Sequence, residues 1–120
     1  TLPWARRHKA PFTATLRRKL EAYFSKIYLE RWSQPEVAAV LARLPTVMMW
    51  DDHDIMDGWG SYPAEQHHCP VYQGIYEVAR AAFGLFQRQA LGGPAPGTLP
   101  GQTHFNSAWR IGPLGLLMLD

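Results

Sequence analysis

The sequence predicts an α/β chain with about three helices, one short central strand and a C-terminal β-hairpin. Three observations carry this prediction. Apolar residues recur at three- and four-residue steps over two long stretches, which is the helical period. A short continuous apolar run, Thr46-Val47-Met48-Met49-Trp50, is bounded by Pro45 and Asp51 in the manner of a strand covered on both faces. After a Gly- and Pro-rich linker the last residues alternate, turn at Gly112-Pro113 and return as an apolar run. No internal repeat and no compositional boundary divides the 120 residues, so they read as a single unit.

Each element has its own signals. Pro3 and Pro11 frame an extended basic lead-in. From Thr13, the residues Leu16, Leu20, Tyr23, Phe24, Ile27 and Tyr28 form one apolar stripe opposite Arg17, Lys19, Lys26 and Glu30, giving a helix to about Trp32. Ser33-Gln34-Pro35-Glu36 has the form of a capping box, opening a shorter helix that buries Val37, Val40, Leu41 and Leu44. Pro45 ends it, and the apolar run to Trp50 follows as the central strand, although periodicity alone does not separate that run from buried helix. Asp51 to Cys69 is a long turn punctuated by Gly58, Gly60 and Pro63, a composition more often functional than idle. Pro70 suits the first turn of a third helix running to about Leu91, with Val71, Ile75, Ala79, Ala82, Phe83 and Phe86 on its apolar side. Gly92 to Gly101 is an irregular linker, and Thr103 to Ile111 with Leu114 to Leu119 makes the hairpin.

Composition excludes several classes of function. Residues are 47% apolar and 18% charged, which argues against disorder over most of the length. The net charge of +2 is too small to argue for nucleic acid. Arg6, Arg7, Lys9, Arg17, Arg18 and Lys19 cluster early, and they read as a solvated helix face ahead of a phosphate-binding patch. The single cysteine, Cys69, excludes an intrachain disulfide. No stretch is long and apolar enough to span a membrane and no signal peptide is legible, which leaves localisation open.

The chemistry concentrates at the end of the central run. Asp51, Asp52, His53 and Asp54 place three carboxylates and one imidazole at a strand's carboxyl edge, where open α/β sheets usually hold ligands. Like charges this close repel and raise one another's pKa unless a cation or an Arg offsets them. A divalent metal relieves the crowding most simply, and a solvated acidic turn is the alternative that the residues alone leave standing. Trp50, Trp59, Tyr62 and Tyr72 surround the turn, either packing the loop or shaping a pocket. His67-His68-Cys69, even with His104 added, lacks the spaced pairs of structural zinc motifs and reads as the polar end of the loop.

Trp50-Asp51-Asp52-His53-Asp54, with Asp57-Gly58-Trp59-Gly60-Ser61-Tyr62-Pro63 after it, resembles the signature of the PhoD-like (alkaline phosphatase D) branch of the metallophosphoesterases. The resemblance covers residues 44 to 120. It implies partial metallophosphatase-like αβ layers and hydrolysis of a phosphomonoester or phosphodiester by a hydroxide activated between two metal ions, drawn from Mn, Ca, Mg and Fe. By the same resemblance Asp52 falls on the metal-ligand position, His53 on the phosphate-contacting acid and Asp54 on the acidic partner that orients the His53 ring. The wider superfamily has Asn where this branch has Asp, so either Asp51 or Asp52 is the residue that faces the metal.

The family's upstream Asp motif, its Gly-Asp turn and its His-bearing loops are not found in the sequence. The chain is therefore expected to be an internal segment, residues 1–120, of a single PhoD-like metallophosphatase domain. By itself it should bind metal weakly and show no turnover. The alternative is a non-catalytic binding or structural module on the same framework. Expected partners are a small-molecule phosphoester and a second copy of the chain, pairing through residues 46–50, through residues 114–119 or through the Leu16, Leu20, Phe24 face.

Overall fold

The computed structural model describes residues 8–90, 93–101 and 104–120. Arg6 and Arg7 of the basic cluster, Leu91 and Thr103 lie outside those residues, but the helix expected to reach about Leu91 already ends at Phe86, and the strand expected from Thr103 begins only at Ser107. Among the described residues the order is α1 (Ala14–Trp32), α2 (Pro35–Leu41), a 3-10 turn (Asp52–Asp54), α3 (Ala64–His67), α4 (Pro70–Phe86), β1 (Ser107–Ile111) and β2 (Leu114–Met118). The mixed α/β class with a C-terminal hairpin is therefore as the sequence predicts.

Helix α1 starts where Thr13 Oγ1 accepts the Leu16 N–H at 3.2 Å, satisfying one of the orphan donors of the first turn. Its stripe buries Phe24 and Tyr28 and half-buries Leu20, while Tyr23 stays 56% exposed. The partner is α4, which begins with Cys69 as N-cap and Pro70 at the first helical position and buries Gly74, Val78, Ala79 and Phe83. Phe24, Val78, Ala79 and Ile55 make the core, with Phe12, Leu20, Trp50 and Ile75 packed against it. Gly74 is glycine for a packing reason, since a Cβ there would overlap the Phe12 ring. At the far end Phe86 stacks on Tyr28 with centroids 4.6 Å apart and meets Trp32 edge-on.

Three expectations need correction. The capping box at Ser33 does not form: Ser33 closes α1, its N–H donating to Leu29 O, and α2 starts at Pro35 with no side-chain cap. A single link between two helices leaves Ser33 serving the first helix's carbonyls rather than the second's amides. Nor does α2 bury its apolar residues; Val37, Val40 and Leu44 are 39%, 53% and 59% exposed. The central strand is the third. Residues 46–50 are not a strand, because among the described residues the sheet consists of β1 and β2 alone and none supplies a pairing edge. Val47 to Trp50 are nonetheless half-buried, so the apolar run does reach the interior.

β1 and β2 pair antiparallel, with Ser107 opposite Met118 and Ile111 opposite Leu114 across the Gly112-Pro113 turn. The hairpin is tied down at one end. Ser107 is fully buried, the Ala108 N–H donates to Gly97 O at 2.9 Å, and Arg88 donates to Phe105 O at 2.9 Å and to Thr98 Oγ1 at 2.8 Å. Burial lowers the Arg88 pKa, and the nearby Asp120 charge opposes that shift. The turn end is open, with Ile111 and Leu114 63% and 69% exposed. As for self-association, the α1 face is covered within the chain, since Phe24 is only 8% exposed against α4.

Candidate active site

The acidic residues fold as a capped 3-10 turn. Asp51 Oδ1 accepts the His53 N–H at 3.0 Å, and Asp54 Oδ2 reaches back to accept the Asp51 N–H at 3.1 Å, so a capping box forms here instead of at Ser33. This reciprocal bonding divides the turn into two faces. Asp51, Asp52 and His53 project outward, while Asp54 points into the body of the protein.

The inward face is built by helices far away in sequence. Asp54 Oδ1 accepts from Tyr28 Oη of α1 at 3.2 Å and from Gln87 Nε2, just past α4, at 2.7 Å. Gln87 Nε2 also lies 2.9 Å from Tyr28 Oη. Burial, with the Asp54 charge adding to it, pushes the Tyr28 phenol up to about 12 against the opposing Gln87 bond. The contact expected between Asp54 and the His53 ring gives way to this arrangement, because the capping bond turns the carboxylate toward the helices.

On the outward face His53 is paired with other acids. Its Nδ1 lies 3.0 Å from Asp52 Oδ1 and its Nε2 3.4 Å from Asp57 Oδ1. The Asp52 bond and charge raise the His53 pKa, with Asp57 and Asp51 adding to the effect. Asp52 moves the other way. Its Oδ2 accepts the Gly58 N–H at 2.7 Å, and that bond holds the carboxyl below its ordinary range, with His53 contributing further. Gly58 has φ +76°, a left-handed conformation open to glycine at little cost, and that bend presents its amide to Asp52.

One ligand atom from each of Asp51, Asp52 and His53 lies within 4.8 Å of the others, the one such group of three among the described residues. His67, His68, Cys69 and His104 form no comparable group there; Cys69 is buried and caps α4. Two carboxylates and an imidazole fit a hard cation and fall short of two ions. Asp51 and Asp52 also line a cleft of about 420 Å³ whose wall includes Trp50, Trp59, His67, Tyr76, His104 and Asp120. Trp59 stacks on Tyr76 at 5.4 Å, so these aromatics both pack the loop and wall the cleft. On that wall His67 keeps a buried Nδ1 with no hydrogen-bond partner among the described residues.

Sequence reasoning missed the roles of four residues of this neighbourhood. Tyr28 reads only as part of an apolar stripe, Gln87 belongs to no motif, and Asp57 enters only as part of the stretch after the turn, although it lies four positions after His53. Asp120 is 70 positions from Trp50, whose indole it binds. No local spacing signals the Tyr28, Gln87 and Asp120 contacts. A family model described as PhoD related phosphatase matches residues 4–92, which include α1, the acidic turn and α4. No curated protein and no solved structure matches the chain.

Proposed function

The chain belongs to the PhoD-related phosphatase family, and on that premise we propose that residues 1–120 are a segment of a metal-dependent phosphoesterase domain whose 51–54 turn faces the phosphoryl group. The observation that carries this reading is the convergence of Asp51, Asp52 and His53 within 4.8 Å, with the two carboxylates lining an open cleft. Oxygen donors of this kind suit Mn, Ca, Mg or Fe. Two such ions, when bound, supply charge neutralisation at the phosphoryl oxygens and a water of lowered pKa. The two carboxylates of Asp51 and Asp52 are too few for both ions, so the remaining ligands are assigned to residues outside this group, and the isolated chain is expected to be inactive.

Within that site Asp52, with Asp51 beside it, holds the cation. His53 is the proton donor: its side chain is 72% exposed, and the acids around it favour the charged imidazole that can donate to a phosphoryl or leaving oxygen. Asp54 acts from behind, fixing the turn to Tyr28 and Gln87. The substrate class is a small-molecule phosphoester. A second copy of the chain is the proposed protein partner, docked on the exposed leucines of β2.

The test is made on the full-length protein with 4-nitrophenyl phosphate and Mn. His53→Ala should lower kcat by roughly a hundredfold or more with bound metal unchanged, whereas Asp52→Ala should lower both. Equal metal loss in the two variants would remove the separation of roles. A wild-type protein that binds phosphoester without metal-dependent turnover would instead identify a non-catalytic module.

A further inference from the structure

We propose that Asp120 is a positioning residue for the acidic turn, acting through the indole of Trp50; only its kinetic consequence rests on the phosphoesterase reading. Asp120 follows β2, yet its side chain is just 17% exposed. Oδ1 accepts the Trp50 Nε1–H at 2.7 Å, Oδ2 accepts the Phe105 N–H at 2.7 Å, and its own N–H donates to Asn106 Oδ1 at 2.7 Å. Trp50 is the residue immediately before Asp51. Its ring stacks on Phe83 at 5.0 Å and meets Phe105 edge-on at 5.0 Å, so the indole is gripped on its faces by aromatics and at its nitrogen by a carboxylate.

Hydrogen bonds to an ionised acceptor are roughly twice as strong as neutral ones, and a half-buried indole N–H needs a partner. Without the carboxylate, the Trp50 and Phe105 N–H groups lose their acceptor together. The indole is then free to turn in its slot, and the next peptide carries Asp51. Asp120 and Trp50 line the same cleft as Asp51 and Asp52. The contacts of Asp120 run to Trp50, Phe105 and Asn106, with His104 Nδ1 3.9 Å from Oδ2, and none is to the turn itself, which makes its influence on the turn indirect.

Asp120→Ala, Trp50→Phe and the double variant are compared in the full-length protein. Trp50→Phe removes the Nε1–H donor and keeps an aromatic ring. Each single variant should lower kcat on 4-nitrophenyl phosphate by about tenfold, leaving KM and bound metal unchanged, and the double should be no slower than the worse single. Effects that multiply, or metal loss in Asp120→Ala as large as in Asp52→Ala, would overturn the proposal. Hydrogen exchange of the His53 and Ile55 amides decides it independently of turnover, including in a wild-type protein that proves inactive. Both amides are bonded within the turn, to Asp51 Oδ1 and Asp52 O. Faster exchange there in Asp120→Ala, with the α1 and α4 amides unchanged, supports positioning. Unchanged exchange at the turn, or a rise spread across both helices, overturns it.

Discussion

The helical body and the C-terminal hairpin solve the burial problem differently. α1 and α4 each bring an apolar stripe, and the two stripes cover one another, with Phe24 8%, Val78 3% and Ala79 1% exposed. Among the described residues the hairpin offers two strands and no covering layer, so Ile111, Leu114 and Leu117 remain 58% to 69% exposed, and it is attached by polar ties at Arg88, Ser107 and Asp120 together with the packing of Phe105 on Phe83. A helix pair can close a core by itself, whereas a two-stranded ribbon needs a third element against it. The acidic turn sits where these regions meet: Asp54 is tied to the helices, and Trp50 is tied to the residue that follows β2.

Phe83 is the joint between the regions, and its truncation should be the most damaging change. It is fully buried, stacking on Trp50 and packing on Phe105 at 4.8 Å. Phe83→Ala should cost about 3–5 kcal/mol in chemical denaturation. A loss below about 1 kcal/mol would mean that body and hairpin do not share a core there.

A smaller effect should be readable by pH in the helical body. Burial pushes the Tyr28 phenol up to about 12 from its ordinary 10.0. Because the folded state holds the phenolic proton more tightly, this contribution to stability is complete below the unfolded pKa and disappears as pH rises through the folded one. Wild-type stability should therefore fall more steeply than that of Tyr28→Phe in the alkaline range between those two values. Parallel denaturation midpoints in the two proteins would remove Tyr28 from the account.

The smallest effect on folding belongs to the open face of the hairpin. Leu117→Lys with Leu119→Lys, two positions apart and so on one face, should change stability by no more than about 0.5 kcal/mol per site, since both side chains lie in solvent. Light scattering should show a fall in mass toward the monomer, as expected if a second copy covers that face. A wild-type monomer at high concentration would make the two regions alike in needing no partner.

Much of the fold was legible locally. Thr13, Pro70 and Gly112-Pro113 marked real boundaries, because capping, proline geometry and turn chemistry act over a few residues. Failures came where the outcome depends on what stands opposite. Val37 and Val40 are apolar at helical spacing and stay exposed because no described element covers them, and residues 46–50 look like a strand but have no described edge to pair with. The site divides in the same way. Asp51, Asp52 and His53 were legible because adjacency alone forces their charges together.

What the sequence determined by itself was the composition of the turn, the helical stripes and the hairpin, each a consequence of neighbours along the chain. Tertiary structure alone decided which distant partners the carboxylates meet. Asp54 faces Tyr28 and Gln87, 26 and 33 positions away, and Asp120 comes back to Trp50. A carboxylate turns toward whichever donors the packed helices and hairpin bring within about 3 Å, and chain spacing does not encode that proximity.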